Sequence, residues 1–197
     1  MNITGTFVKI KRTLDVAPND GVHRCDGRGR ISGAKAHMVD GLIVPHGMTC
    51  FLYNDIKVFY SLKSRRVATK NEVNRVLRNQ QQLFQYGLAL PANGLVDVTI
   101  DAIYEDRVLK AKCFGYSTSV IPVTDKLIDY FRGKKYRWEG EDNPKAFLAF
   151  IDKATDVIKR HMKHTNLCRD RYLKDLRRIG NVLWHPSHNH YYIVDAG

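Results

Sequence analysis

A chain of 197 residues, 44% apolar and 26% charged, is long enough to bury a core, and its formal charge of +12 with a pI near 9.6 points to polyanionic partners. No run approaches the roughly 20 apolar residues of a membrane helix, and Cys25, Cys50, Cys113 and Cys168 contain no C-x-x-C pair. A membrane partner, a cysteine-bound metal and a secretory start are therefore not expected, and reduced thiols in a cytoplasm are the default.

Phe7 to Lys11 alternates at period 2 and predicts a strand. Residues 15–35 follow as a basic loop rich in glycine, in which Arg28 and Arg30 are candidates for folding onto a phosphate backbone. Gly41 to Val44, Met48 to Tyr53 and Ile56 to Tyr60 are three strand-forming bursts, with Asn54-Asp55 as a two-residue hairpin signal. Thr69 and Glu72 have capping-box spacing, and Val73, Val76, Leu77, Leu83 and Phe84 recur at helical intervals. A helix over residues 70–86 is expected, ended by Gly87, with Arg75, Arg78, Asn79, Gln80, Gln81 and Gln82 on a solvated face.

A second hairpin is expected from Val96, Val98 and Ile100 and from Val108 to Phe114. Its wet face carries Asp97 and Asp101 at a spacing from which paired carboxylates hold Mg²⁺, although alternation alone explains both. After a short helix over residues 125–132, Lys134, Lys135 and Arg137 alternate with Tyr136 and Trp138 in a basic and aromatic loop. Asn143 and Pro144 then start the longest helix, whose stripe is Phe147, Phe150, Ile151, Ala154, Val157 and Ile158 and whose end is expected near His164. Thr165 or Asn166 caps a further helix, Cys168 to Ile179, with Leu173, Leu176 and Ile179 inward, before Gly180. Val182 to Trp184 and Tyr191 to Val194 close the chain as two strands around the loop His185 to His190.

The fold class expected is α+β. Residues 1–120 form a mostly antiparallel β sheet with one inserted helix, and residues 121–197 form a basic helical part ending in a β-hairpin, the two able to pack as one domain. Residues 159–178 hold eight cations against two carboxylates, half of the chain's formal charge, with aromatics directly behind. Clustered cations beside aromatics suit a nucleic-acid face, because phosphates supply affinity and bases supply stacking surfaces. Candidate contacts are Lys163, Arg169, Arg171, Lys174, Arg177 and Arg178 on the helices and His185 and His188 in the hairpin. This order of helix, helix and closing hairpin resembles the end of a winged-helix DNA-binding domain. The resemblance covers about 30 residues and implies that Cys168 to Ile179 enters the major groove while His185 to His190 touches the flanking backbone.

No motif fixes a catalytic chemistry. His188-Asn189-His190 lacks the dispersed pattern of HNH nucleases, and His185-Pro186-Ser187 lacks the water-activating motif that accompanies it in uracil-DNA glycosylases. His46-Gly47 and Thr49 approximate the nicotinamide-holding element of ADP-ribosyltransferases, but Met48 intervenes and a turn explains them. Neither a phosphate loop nor a cofactor motif is present. Binding of DNA or RNA in a regulatory or accessory role is the leading expectation. The alternatives are an interaction protein, such as bacteriophages encode, that holds an acidic host enzyme, and a nucleic-acid-modifying enzyme using histidines or Asp97 and Asp101.

Overall fold

The computed structural model describes residues 1–7, 36–38, 41–45, 50–53, 55–61, 65–104, 106–119, 144–177 and 181–197. In chain order the strands are β1 (Asn2–Phe7), β2 (Ala36–Met38), β3 (Gly41–Pro45), β4 (Phe51–Tyr53) and β5 (Ile56–Val58). Helix α1 (Lys70–Gln85) precedes the long hairpin β6 (Ala92–Tyr104) and β7 (Arg107–Thr118). Helices α2 (Pro144–His161) and α3 (Asp170–Asp175) lead into a closing hairpin, β8 (Val182–His185) and β9 (His190–Ile193). The α+β class is as expected. The loop 15–35, Asn143 and residues 125–138 lie outside the described residues.

The sheet order is β1-β6-β7-β5-β4-β3-β2, with the closing hairpin apart as its own pair. Every pairing in the larger sheet is antiparallel except β1 with β6, so the sheet is mixed. The first strand is described over Asn2–Phe7, and the alternation expected over Phe7 to Lys11 lies, beyond Phe7, outside the described residues. β1 and β2, at opposite ends of the order, lie close together, and the sheet curls back on itself.

Alternation along β6 and β7 divides the sheet into two faces. One face buries Ile3, Phe51, Val58, Val98, Ile100, Leu109 and Cys113 in a cluster of its own. The opposite face is exposed at Asp97, Thr99, Asp101 and Ile103, where Lys110 bonds Asp101 across the strands at 3.7 Å. Farther along, that same face disappears under the helices, because Tyr116, Phe59 and Ala92 join α1, α2, α3 and the closing hairpin in a second cluster.

Helix α1 starts as the capping box requires. The Thr69 backbone N–H donates to Glu72 at 2.8 Å and the Glu72 N–H returns a bond to the Thr69 hydroxyl. The Thr69 backbone N–H first and its hydroxyl second donate to the Glu72 carboxylate and hold it below its ordinary pKa. At the other end Gly87 takes φ of 68°, and the N–H groups of Gly87 and Leu88 return to Phe84 and Leu83 as a Schellman motif. The expected solvated face is only partly so. Asn79 and Gln80 are each 4% exposed, with Asn79 donating to Asn166 and to the Ala196 carbonyl and Gln80 to the Leu90 carbonyl. Burial of two amides is tolerated here because each meets a chain segment whose carbonyl needs a donor.

Lys57 stands opposite Tyr116 in the β5–β7 register on the helix-covered face, 2% exposed. Its ammonium donates to the Val194 carbonyl at 3.1 Å and lies over the rings of Phe59 and Tyr116. Burial pushes the Tyr116 phenol above its ordinary pKa, against the pull of the Lys57 charge.

Strands β5 and β7 approach so closely at Gly115 that an added Cβ would stand 2.6 Å from the Lys57 carbonyl oxygen. Gly115→Ala is expected to cost about 1–3 kcal/mol, seen as a fall of several degrees in Tm. Gly94→Ala, whose Cβ meets nothing within 4 Å, serves as the control and should leave Tm unchanged.

Candidate nucleic-acid interface

The basic stretch folds as two helices and a turn. Phe147, Phe150, Ile151, Ala154 and Ile158 of α2 are buried, as their spacing predicts, and the helix ends in a basic last turn of Lys159, Arg160 and His161. The cationic ends complement the helix dipole. Thr165 then caps a 3-10 turn, Asn166–Cys168, accepting from the Leu167 N–H while its own hydroxyl donates to Met162. Of the helix expected over Cys168 to Ile179, Asp170–Asp175 is helical; the 3-10 turn takes Cys168, and residues 178–179 lie outside the described residues. Leu173 and Leu176 face inward, and the Tyr172 hydroxyl donates to the Asp195 carbonyl at 2.6 Å, which anchors α3 beside the chain's last strand.

Arg177, just beyond α3, reaches Asp152 on α2 at 3.6 Å. Lys163, Arg169, Arg171, Lys174 and Arg177 are all exposed. Helical spacing sets Asp152, Asp156, Lys159 and Arg160 on one side of α2, and Lys163 follows in the turn beyond it. Asp156 holds Arg160 at 2.8 Å, one turn away. The strip is thus less positive than a count over residues 159–178 implies, since that count omits both aspartates. Each pair is exposed and contributes little to stability, yet each diverts a cation from phosphate. Among the described residues, Lys159, Lys163, Arg169, Arg171 and Lys174 make no ion pair. Arg28, Arg30, Lys134, Lys135, Arg137 and Arg178 lie outside the described residues.

His185 and His188 converge more closely than their sequence positions show. A 3-10 turn, Pro186–His188, folds the loop so that the two imidazoles stack with centroids 3.7 Å apart and planes 5° apart. The His188 N–H donates to His185 Nδ1, and His188 Nδ1 lies 3.0 Å from the Tyr192 hydroxyl. Tyr192 closes the group edge-on to both rings. His190 points elsewhere, to the Gly87 carbonyl at 3.1 Å. Burial first and the neighbouring His188 second hold His185 below its ordinary pKa of 6.5. No hydrogen bond, ion pair or ring contact among the described residues joins these histidines to the cations of α3.

Other candidate chemistry is separated. Asp101 is engaged by Lys110, and among the described residues no group of three or more His, Cys, Asp or Glu is placed to hold a metal ion. Burial pushes the Cys113 thiol up to about 12, which keeps it protonated inside the sheet. No helix of the described residues is long and apolar enough to cross a membrane. Comparison with protein-family models, with curated proteins and with solved structures found no match.

Because the fold depresses the His185 pKa, the unfolded chain takes up its proton first as pH falls. The stacked pair therefore contributes fully above about 6.5, and its contribution declines through the folded midpoint below that value. His188→Ala should raise the His185 midpoint in an NMR titration of the imidazole protons. An unchanged midpoint would show that the stack does not set it.

Proposed function

We propose that this chain binds nucleic acid through the exposed strip of α2 and α3, in an accessory or regulatory role without catalysis. The observation that carries the reading is the set of five exposed cations, Lys159, Lys163, Arg169, Arg171 and Lys174, that have no carboxylate partner among the described residues. Cations that meet no carboxylate among the described residues, on α2, on α3 and in the turns between them, are available to phosphates, and release of counterions then drives association.

In the winged-helix analogy α3 takes the place of the recognition helix, with β8–β9 as the wing. Its six residues span about 9 Å, fewer than two turns. So short a helix offers few side chains to base edges, and the contacts proposed are therefore to phosphates, with Arg169, Arg171 and Lys174 foremost. The pairing of Arg177 with Asp152 gives that arginine a weaker role.

If all five cations meet duplex phosphates, the slope of log affinity against log salt is about −4.5. Arg169→Glu, Arg171→Glu and Lys174→Glu combined should abolish a gel shift while leaving Tm unchanged. Undiminished binding at low salt would refute the proposed face. Retention of an acidic protein partner after nuclease treatment, with no nucleic acid bound, would reassign the strip to a protein.

A further inference from the structure

The two ends of the closing hairpin and the helices frame a line of rings that charge counting does not reveal. Tyr86, at the end of α1, stacks on His161 of the basic last turn of α2, with centroids 5.0 Å apart and planes 23° apart. Tyr86 remains 39% exposed, and His161 is exposed too. The next residue, Gly87, accepts through its carbonyl from His190 Nε2 at 3.1 Å. His190 meets Tyr192 edge-to-face at 5.0 Å, and Tyr192 meets the stacked His185 and His188. The line thus runs from the cationic end of α2 across the end of α1 to the hairpin.

Its two ends differ from its middle. Tyr86 on His161 and His188 on His185 are parallel stacks, whereas His190 and Tyr192 stand edge-to-face at 71°. A parallel stack covers one face of each ring, and Tyr86, His161 and His188 remain exposed. Every nucleobase has such a face, but a duplex keeps it inside its own stack. A single strand can turn its bases onto the rings while Lys159 and Lys163, on either side of His161 in the chain, meet its phosphates.

We propose that these two ring stacks are base-stacking stations and that the nucleic acid bound is single-stranded. The inference rests on the function proposed above and narrows its ligand. An acidic peptide would use the cations but gain little from flat, half-exposed imidazole and phenol faces.

The test is fluorescence anisotropy with a labelled oligothymidylate of about 20 nucleotides and with its duplex with oligoadenylate. The single strand should bind more tightly than the duplex. Tyr86→Ala and His188→Ala should each weaken single-strand binding about tenfold, with duplex binding and the salt slope unchanged. Tyr86→Phe, which keeps the ring, should bind as the parent does. Ring variants of unaltered Tm that hold oligothymidylate as tightly as the parent overturn the inference, as does equal affinity for the duplex. If those variants are silent while reversal of Arg169, Arg171 and Lys174 abolishes binding, the cationic face stands without the stations. A parent chain that binds neither oligonucleotide removes both.

Discussion

Burial of one stripe on α2 governs the helical side of this molecule. Phe147, Phe150, Ile151, Ala154 and Ile158 leave water together, and each of the phenylalanines and isoleucines contributes roughly 1.5–3 kcal/mol when fully covered. A helix with one stripe so committed has no rotational freedom left. Phe150 meets Tyr191 and His190 of the hairpin, His161 is delivered to Tyr86, and the residues opposite the stripe face solvent. The charge of the surface is thus set by an apolar constraint on its other side.

The same economy places α3. Its apolar residues, Leu173 and Leu176, are too few to hold a free helix, and six residues would not persist alone in water. It persists because the preceding 3-10 turn is tied to α1 through Asn79 and Asn166 and because Tyr172 is bonded to the Asp195 carbonyl. The cations it displays are therefore positioned from beneath by hydrogen bonds to distant parts of the chain.

Local signals were legible and distant ones were not. The capping box at Thr69, the glycine stop at Gly87, the period of α2 and the alternation of β6 and β7 are all properties of near neighbours, and the observed elements follow them. The parallel pairing of β1 with β6 joins residues about a hundred positions apart and leaves no short-range trace. Asn79 and Gln80 looked solvated because amides usually are; only the arrival of Ala196 and Leu90 makes their burial tolerable. Within the cationic region, spacing separated Leu173 and Leu176 from the charges, and the i,i+4 interval of Asp156 to Arg160 is local, whereas Asp152 meets Arg177 only through the fold. The stack of His185 on His188 and the contact of Tyr86 with His161 depend on a turn and on tertiary packing, respectively.

The buried ammonium of Lys57 has a consequence for how the molecule opens. Its bond to the Val194 carbonyl joins the sheet to the strand that follows the histidine turn, and the Ile193 N–H is bonded in turn to the Leu88 carbonyl at 2.8 Å. Peeling β9 away would strip an acceptor from a charge held among the rings of Phe59 and Tyr116 and admit water to that face. Fraying of the terminal hairpin is thereby coupled to disturbance of the sheet, so the amide hydrogens of β9 are expected to exchange slowly and not as those of a loose appendage.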